Sequence, residues 1–404
     1  MKIFVLVSRV PWPLEKGDKL RAWHHVKHLS SSHEVFLCCL SDSVPHPAAL
    51  HELQKIAAHV QIIKLHRVLI GWRIIRALFS DKPYQVHYFL QNHALRKVKR
   101  LVNKFSPDHI YTQLVRTAEY VKHLHHLPKT LDYMDALSAG QWRRSERTSW
   151  WMKFFTRTEA QRLRAYENLI FDYFEHHTII STQDRDLIYH PQRNNIHIIP
   201  NGVDSTYFHE IKREKKFDIV FTGNMSYPPN MDCAKFLALE ILPLLQAKRA
   251  GTTLHIAGAT PSRHVKELQT PYVVVSGWLD DIRDAYSSAR VFTAPMQIGT
   301  GMQNKLLEAM SMNLPCVTTP IAASALGALH QEHLLIGKSK EEIASHILSL
   351  LADEEWASSL AQRGQQHVRS TFDWAEIVCQ LATIMMNDFL WRQGNKGKNN
   401  ILLY

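Results

Sequence analysis

Between Pro295 and Thr319 the chain reads PMQIGTGMQNKLLEAMSMNLPCVTT, which gathers two glycines, a lysine and a glutamate at one turn-to-helix junction. Gly299 and Gly301 permit a tight turn and a close backbone approach to a ligand. A helix opening near Met302 presents unpaired N–H groups and the positive end of its dipole, so Thr300, Gly301, Met302 and Gln303 form a candidate cradle for a diphosphate. Lys305 and Glu308 are three apart and share a face with Gly301. At about 1.5 Å per residue, Glu308 lies about 10 Å along the axis from Gly301. That spacing leaves phosphates at the glycine end while Glu308 accepts ribose hydroxyls. Asn313 can take the left-handed conformation that ends a helix, and Pro315 begins the next extended run. The competing reading is an ordinary helix carrying a surface Lys305–Glu308 pair worth under about 1 kcal/mol.

Such a junction needs a parallel sheet to hold it, and the chain supplies two. Short apolar runs alternate with longer amphipathic segments, the pattern of α/β folds. In the first half the expected strands are 2–8, 35–40, 60–65, 109–113, 130–133 and 178–181, with a helix over 19–29 and a long one over 156–174. The run IIPNGVDSTYF, 198–208, breaks the pattern with proline, glycine and aspartate, and Asn201 and Gly202 suit a turn or hinge there. Strands resume at 218–222, 253–257, 272–276, 291–294 and 316–318, and a final helix follows Asp373 as cap. Strand 218–222 runs into Gly223 and Asn224, a strand-to-turn junction where ligands of open α/β folds bind. Gly17, between the first strand and first helix, gives a second helix N-terminus facing an anion. Arg21, one turn on, reads either as a phosphate contact or as a surface arginine.

The segments 198–208 and 295–319 resemble the interdomain and nucleotide-binding segments of the family 4 retaining glycosyltransferases. Within that family they are most similar to bacterial sugar transferases of exopolysaccharide and exosortase-associated loci, which carry a GTGxQNKxLEA version of the motif. Glu308 matches the second of the family's two motif glutamates, in the context LLEAM, whereas Thr300 stands where the first is usual. The resemblance implies an α/β GT-B fold, with two Rossmann-like domains facing across a cleft. The domains would be 1–200 on the acceptor side and 201–371 for the nucleotide sugar. Residues 372–404 would be a crossover helix and tail returning to the first domain.

It also implies site residues. SGWLDDIRDAYSSARV resembles the family's base-binding region, where backbone groups of Gly277, Trp278 and Leu279 hold the base edge; Trp278 could stack on the base or simply pack. The family's basic residue after the turn at Gly223 is absent from MSYPPNMD, so Lys305 is the candidate substitute for neutralising the diphosphate. A histidine common in the family after the strand of TLDYMDALS is replaced by Asp135, a candidate for positioning the acceptor hydroxyl or taking its proton. The catalytic set is then Asp135, Lys305 and Glu308. The implied reaction moves a sugar from a UDP- or GDP-linked donor to a glycan or lipid-linked acceptor with retention, in bacterial surface polysaccharide synthesis. The nucleotide sugar is a substrate, and the scheme calls for no separate cofactor and no metal.

Composition narrows the alternatives. The 404 residues are 45% hydrophobic and 21% charged, which is ordinary for a globular chain. No apolar run is long enough for a signal peptide or a membrane span. Five cysteines without metal spacing read as reduced thiols, which suits a cytoplasmic protein. Residues 1–200 hold 29 Lys and Arg against 17 Asp and Glu, so the whole basic excess is N-terminal. Two aromatic and basic stretches lie in that half, HRVLIGWRIIRALFSDK and WRRSERTSWWMKFFTR. Together with the charge they point to a peripheral contact with an anionic membrane, at the inner face of the plasma membrane, although each alone could be a core-facing helix. Two other functions fit parts of the sequence. A nucleotide-sugar epimerase of the same fold would need extra acid and base groups; a basic nucleic-acid-binding protein would need a recognition motif, and none is present.

Overall fold

Runs such as KIFVLV (β1, Lys2–Val7), EVFLCCLS (β2, Glu34–Ser41) and HIYTQ (β4, His109–Gln113) are apolar or buried almost throughout, as strands covered on both faces must be. The computed structural model describes residues 1–146, 148–297 and 302–399, with only the backbone for 388–399. With β3 (His59–Lys64), β5 (Lys129–Met134), β6 (His176–Ile179) and β7 (His197–Ile198) they form a parallel sheet of order β3-β2-β1-β4-β5-β6-β7. Its core joins residues such as Phe4, Leu6, Ile110, Leu131, Leu163 and Ile170, from the strands and from the helix Trp150–Phe171 packed on them.

The second sheet is built the same way from β8 (Phe217–Thr222), β9 (Leu254–Ala257), β10 (Val273–Gly277), β11 (Ala289–Ala294), β12 (Cys316–Thr318) and β13 (Leu335–Ile336). Its strands are parallel in the order β10-β9-β8-β11-β12-β13. The chain divides into two compact units, one of Met1–Pro200 with Ala375–Tyr404 and one of Asn201–Trp374. The last long helix, Trp374–Asn399, therefore begins at the end of the second unit and continues in the first. Two Rossmann-like units with parallel sheets make this the GT-B fold that the resemblance implied.

In each sheet the strand order reverses once, between β1 and β4 and between β8 and β11. Crossovers leave these points to opposite sides and open a crevice at the carboxyl edge. Three features depart from the sequence reading. β7 and β13 are two-residue edge strands, too short to carry a periodicity. The long helix starts at Trp150 rather than at Thr156, because its first turn exposes its aromatics instead of burying them. The helix of the glycine segment spans Asn304–Ser311 with Gln303 as N-cap, so it opens two residues beyond Met302. It does stop at Asn313, whose φ is 57°.

Among the described residues no helix is long and apolar enough to cross a membrane.

Candidate functional site

In the second unit the crevice between β8 and β11 is built on a close approach of two glycines. Gly258, following β9, has φ 137°, and a Cβ there would lie 1.9 Å from the carbonyl oxygen of Gly223, so the backbones touch and only glycine fits. Gly223, at the end of β8, has φ 154°, and its own Cβ would fall 2.8 Å from the Asn230 side chain and 3.4 Å from Lys305 Nζ. Lys305 thus reaches the β8 turn from the helix that follows β11. Its ammonium donates to Asn230 Oδ1 at 2.5 Å and stands over the Phe221 ring at 4.9 Å. Burial pushes its pKa down to about 8, against the opposing charge of Glu308. A cation held this way is costly without a counter-charge and gains from a bound anion.

Glu308 lies one turn along the same helix face and is half-buried. Tyr286 donates its hydroxyl to Glu308 Oε2 at 2.6 Å and also meets Thr222 Oγ1 at 2.8 Å. Burial raises the pKa of the carboxyl, while the Tyr286 hydrogen bond and Lys305 pull it back down. Lys305 therefore binds Asn230 and Glu308 binds Tyr286, and the simple surface pair between them does not form. One oxygen of Glu308 is fixed by Tyr286, which leaves the carboxylate oriented to accept from a diol.

The remaining expected positions of this unit are more dispersed. The Asn224 side chain is taken up by its own turn, its Oδ1 accepting from Ser226 N, Ser226 Oγ and Thr260 Oγ1. Gly277 ends β10 with φ 72° and accepts from Gly258 N–H at 2.9 Å, which ties the proposed base-binding strand end to the glycine turn. Trp278 is 59% exposed, so it is not a core residue, and Leu279 is half-buried beside it. Met302 and Gln303 are half-buried just before the helix. Thr300 and Gly301 lie outside the described residues. Asn201 donates to Asn304 Oδ1 at 3.1 Å, and a Cβ on Gly202 would strike the Trp374 ring at 2.8 Å, so these two residues are packed into the unit.

In the first unit the charged groups meet at the carboxyl edge of the sheet. Gly17 opens the helix Gly17–Leu29, which has no side-chain cap, and Asp18 in its first turn pairs with Arg9 at 2.7 Å. Arg21 is placed differently from either reading of it. Its side chain has no exposed surface; Nε donates to Asp132 Oδ2 at 2.7 Å, Nη2 to Asp132 Oδ1 at 3.0 Å and Nη1 to Pro200 O at 3.0 Å. Tyr111 and Thr178 complete the shell of Asp132 at 2.8 and 2.9 Å. The helix turns Arg21 inward on the sheet, so it is a buried structural ion pair and not a phosphate contact.

Asp135 follows the end of β5 after Met134, whose φ of 62° forms a tight turn closed by Asp135 N–H on Tyr133 O. The side chain is open to solvent on one side, yet the surrounding protein and then the negative charge of Asp184 raise its pKa to about 6. Asp132, inside the strand, is fully buried and takes no part in that edge. The structure thus brings Lys305 and Glu308 together with Gly223 in the second unit, and sets Asp135 at the carboxyl edge of the sheet in the first. Tyr286 and Asn230 are residues that sequence reasoning missed. Tyr286 stood in the quoted segment AYSSA, but one tyrosine in an amphipathic helix gives no sign of the glutamate it will meet.

Residues 216–353 match the family described as Glycosyl transferases group 1. An uncharacterized 44.6 kDa protein in the cps region of Klebsiella pneumoniae is 23% identical over 172 residues, which span 39% of this chain and 44% of that one. Among solved structures, sucrose-phosphate synthase from Thermosynechococcus elongatus superposes with a TM-score of 0.67 at 16% identity, covering 96% of this chain and 100% of that one. HepE of Anabaena in complex with UDP superposes with a TM-score of 0.69 at 16% identity over the same shares. At that identity these structures establish the GT-B fold, while the family match establishes a glycosyltransferase sequence pattern in the second unit.

Proposed function

We propose that the chain is a glycosyltransferase whose second unit binds a nucleotide-diphosphate sugar and whose first unit handles the acceptor. The observation that carries this reading is the convergence of Lys305, Glu308 and the Gly223 turn at the switch point between β8 and β11, inside the stretch that matches the glycosyltransferase family. Cleaving the sugar–phosphate bond leaves negative charge on the diphosphate and positive character on the ring. Lys305, desolvated but not neutralised by a carboxylate, stabilises the leaving group, and Glu308 accepts from the ribose. Asp135 serves the acceptor hydroxyl. Retention at the anomeric carbon follows from the family resemblance, with attack on the same face from which the nucleotide leaves. The UDP and UDP-glucose bound to HepE support a uridine nucleotide as the donor carrier. The Klebsiella relative's place in a cps region supports a role in surface polysaccharide.

The first unit also carries a surface suited to a membrane. The helix Arg67–Ala77 buries Ile70 and Ala77 but exposes Val68, Trp72 and Ile75, and Phe79 just beyond is 89% exposed. The helix Trp150–Phe171 begins with exposed Trp150, Trp151 and Phe154. The two are fastened together where Arg162 donates to the carbonyl of Ala77 at 2.6 Å. Exposed aromatics among arginines, in the half with all the basic excess, suit an anionic lipid surface and a lipid-linked acceptor at the cytoplasmic face.

The donor assignment is tested by thermal shift with UDP, GDP and their common sugars, on the native chain and on Glu308→Ala. Stabilisation of the native chain by one nucleotide family, lost in the variant, is the expected outcome. No response to any nucleotide would remove the assignment.

A further inference from the structure

Arg116 is a buried guanidinium that no carboxylate clamps among the described residues, although the charges of Asp18 and Asp135 reach it. It lies in the short 3-10 segment Val115–Tyr120 directly after β4 and is 9% exposed, and its Nε has no hydrogen-bond acceptor. No ion pair holds it among the described residues; its one direct contact of note is the Phe89 ring, 5.2 Å from Cζ. Other buried cations of this unit are treated differently. Arg21 is clamped by Asp132, Lys122 is paired with Glu119 at 2.7 Å, and Lys129 donates to the carbonyls of Leu124 and Leu127. Leaving one guanidinium unpaired is unfavourable by the cost of burying a charge.

Its position gives that cost a purpose. β4 adjoins β1 where the strand order reverses, so Arg116 sits at the switch point, on the same edge as Asp135 after β5 and Arg9 after β1. The backbone beneath it is fixed: Leu114 N–H donates to Asp132 O at 2.7 Å, and Thr117 Oγ1 donates to the carbonyls of Gln113 and Leu114, both at 2.8 Å. Burial and then the charge of Arg9 lower its pKa to about 10, against the opposing charges of Asp18 and Asp135, and it stays a cation at neutral pH. If Arg116 only balanced nearby carboxylates it would be expected to pair with Asp18 or Asp135, whose charges reach it, and among the described residues it forms an ion pair with neither, Asp18 being taken by Arg9.

We infer that Arg116 is the floor of an anion subsite in the first unit, taking a phosphate group carried by the acceptor while Asp135 engages the acceptor's hydroxyl. This deepens the glycosyltransferase reading and rests on it. The planar fork of arginine fits two phosphate oxygens at once, and the basic excess of this half draws such a ligand in.

The test uses the full chain saturated with UDP, so that the donor site is occupied, and titrates inorganic phosphate and pyrophosphate by calorimetry. Binding to the native chain should weaken about tenfold or more in Arg116→Gln and less in Arg116→Lys, which keeps the charge but not the fork. Arg116→Met should raise the melting temperature without phosphate, because it removes an unpaired buried charge; a charge-balancing residue would lower it. Phosphate binding unchanged in a folded Arg116→Gln, no binding to the native chain, or a less stable Arg116→Met would each overturn the proposal. Vesicles of phosphatidic acid, compared with phosphatidylcholine, separate the sources: loss of vesicle binding in Arg116→Gln together with loss of phosphate binding marks a lipid-borne phosphate, and loss of phosphate binding alone a soluble one. Failure of UDP to bind would count against the donor reading only, since the phosphate titration can be read without it.

Discussion

Tyr286 holds Glu308 by a 2.6 Å hydrogen bond between two helices on either side of β11. The same hydroxyl meets Thr222 at the end of β8, so one phenol fixes the carboxylate to the sheet edge. Tyr286→Phe keeps the ring packing and removes only the hydroxyl, leaving buried Thr222 and half-buried Glu308 each short of a bond. We expect a loss of about 1–3 kcal/mol in urea unfolding and several-fold weaker UDP binding by calorimetry. A variant that bound UDP as tightly as the native chain would show that Glu308 needs no such support.

Lys305 makes nucleotide binding depend on pH. Its folded pKa of about 8 lies below the ordinary lysine value of 10.5, so between those values the unfolded chain binds the extra proton. Stability therefore rises as pH climbs from about 8 to 10.5, and the charge is a fixed cost below 8. Binding runs the other way: UDP affinity should hold below pH 8 and fall above it as the ammonium is lost. Lys305→Arg should flatten that fall, and Lys305→Met should weaken UDP about tenfold or more at pH 7 while stabilising the empty protein.

Arg21 and Asp132 set a contrasting expectation. Both side chains are fully buried, and Arg21→Met leaves the Asp132 carboxylate without its counter-charge. Unfolding free energy should drop by about 3–5 kcal/mol, with UDP affinity of the folded fraction unchanged. A fall in UDP affinity without a fall in stability would return Arg21 to the phosphate role that the sequence suggested for it.

The strands of both sheets were legible because buried parallel strands are written as short apolar runs. β7 and β13 were not, since two residues hold no pattern. Glu308 and Lys305 could be picked out because glycines, lysine and glutamate fell within one turn-to-helix segment. Arg21 misled for the same reason that made it visible: a first-turn arginine after a glycine suits a phosphate, and only the sheet's Asp132, 111 residues away in sequence, turns it inward. Asn230 and Tyr286 are likewise defined by partners 75 and 22 residues away, a separation no local spacing encodes. The aromatic stretches were ambiguous between core and surface until their exposure was known, because periodicity marks a face and not what covers it.

That exposure makes a membrane prediction. Charge reversal at Arg73 and Arg76 together with Trp72→Ser and Phe79→Ser removes both attractions of the helix Arg67–Ala77 and its following turn. Flotation with anionic liposomes should fall by about tenfold or more, on the order of 1 kcal/mol for each basic residue near the surface, and high salt should reproduce the charge component alone. Undiminished flotation of the quadruple variant would place any lipid contact elsewhere.

Asp135 carries the sharpest pH signature. Its folded pKa of about 6 stands above the ordinary aspartate value of 3.8, so between these values the folded chain keeps a proton that the unfolded chain gives up. Stability accordingly declines as pH rises from about 4 to 6, and Asp135→Asn should be the more stable protein at pH 7 but not at pH 3. Turnover should move oppositely. If the carboxylate takes or positions the acceptor's proton, kcat rises with pH through about 6, and Asp135→Asn lowers kcat by about a hundredfold or more while UDP affinity is untouched. A gain in stability with kcat preserved would make Asp135 a strained loop residue, and the acceptor's hydroxyl would then have to be served from another position on that sheet edge.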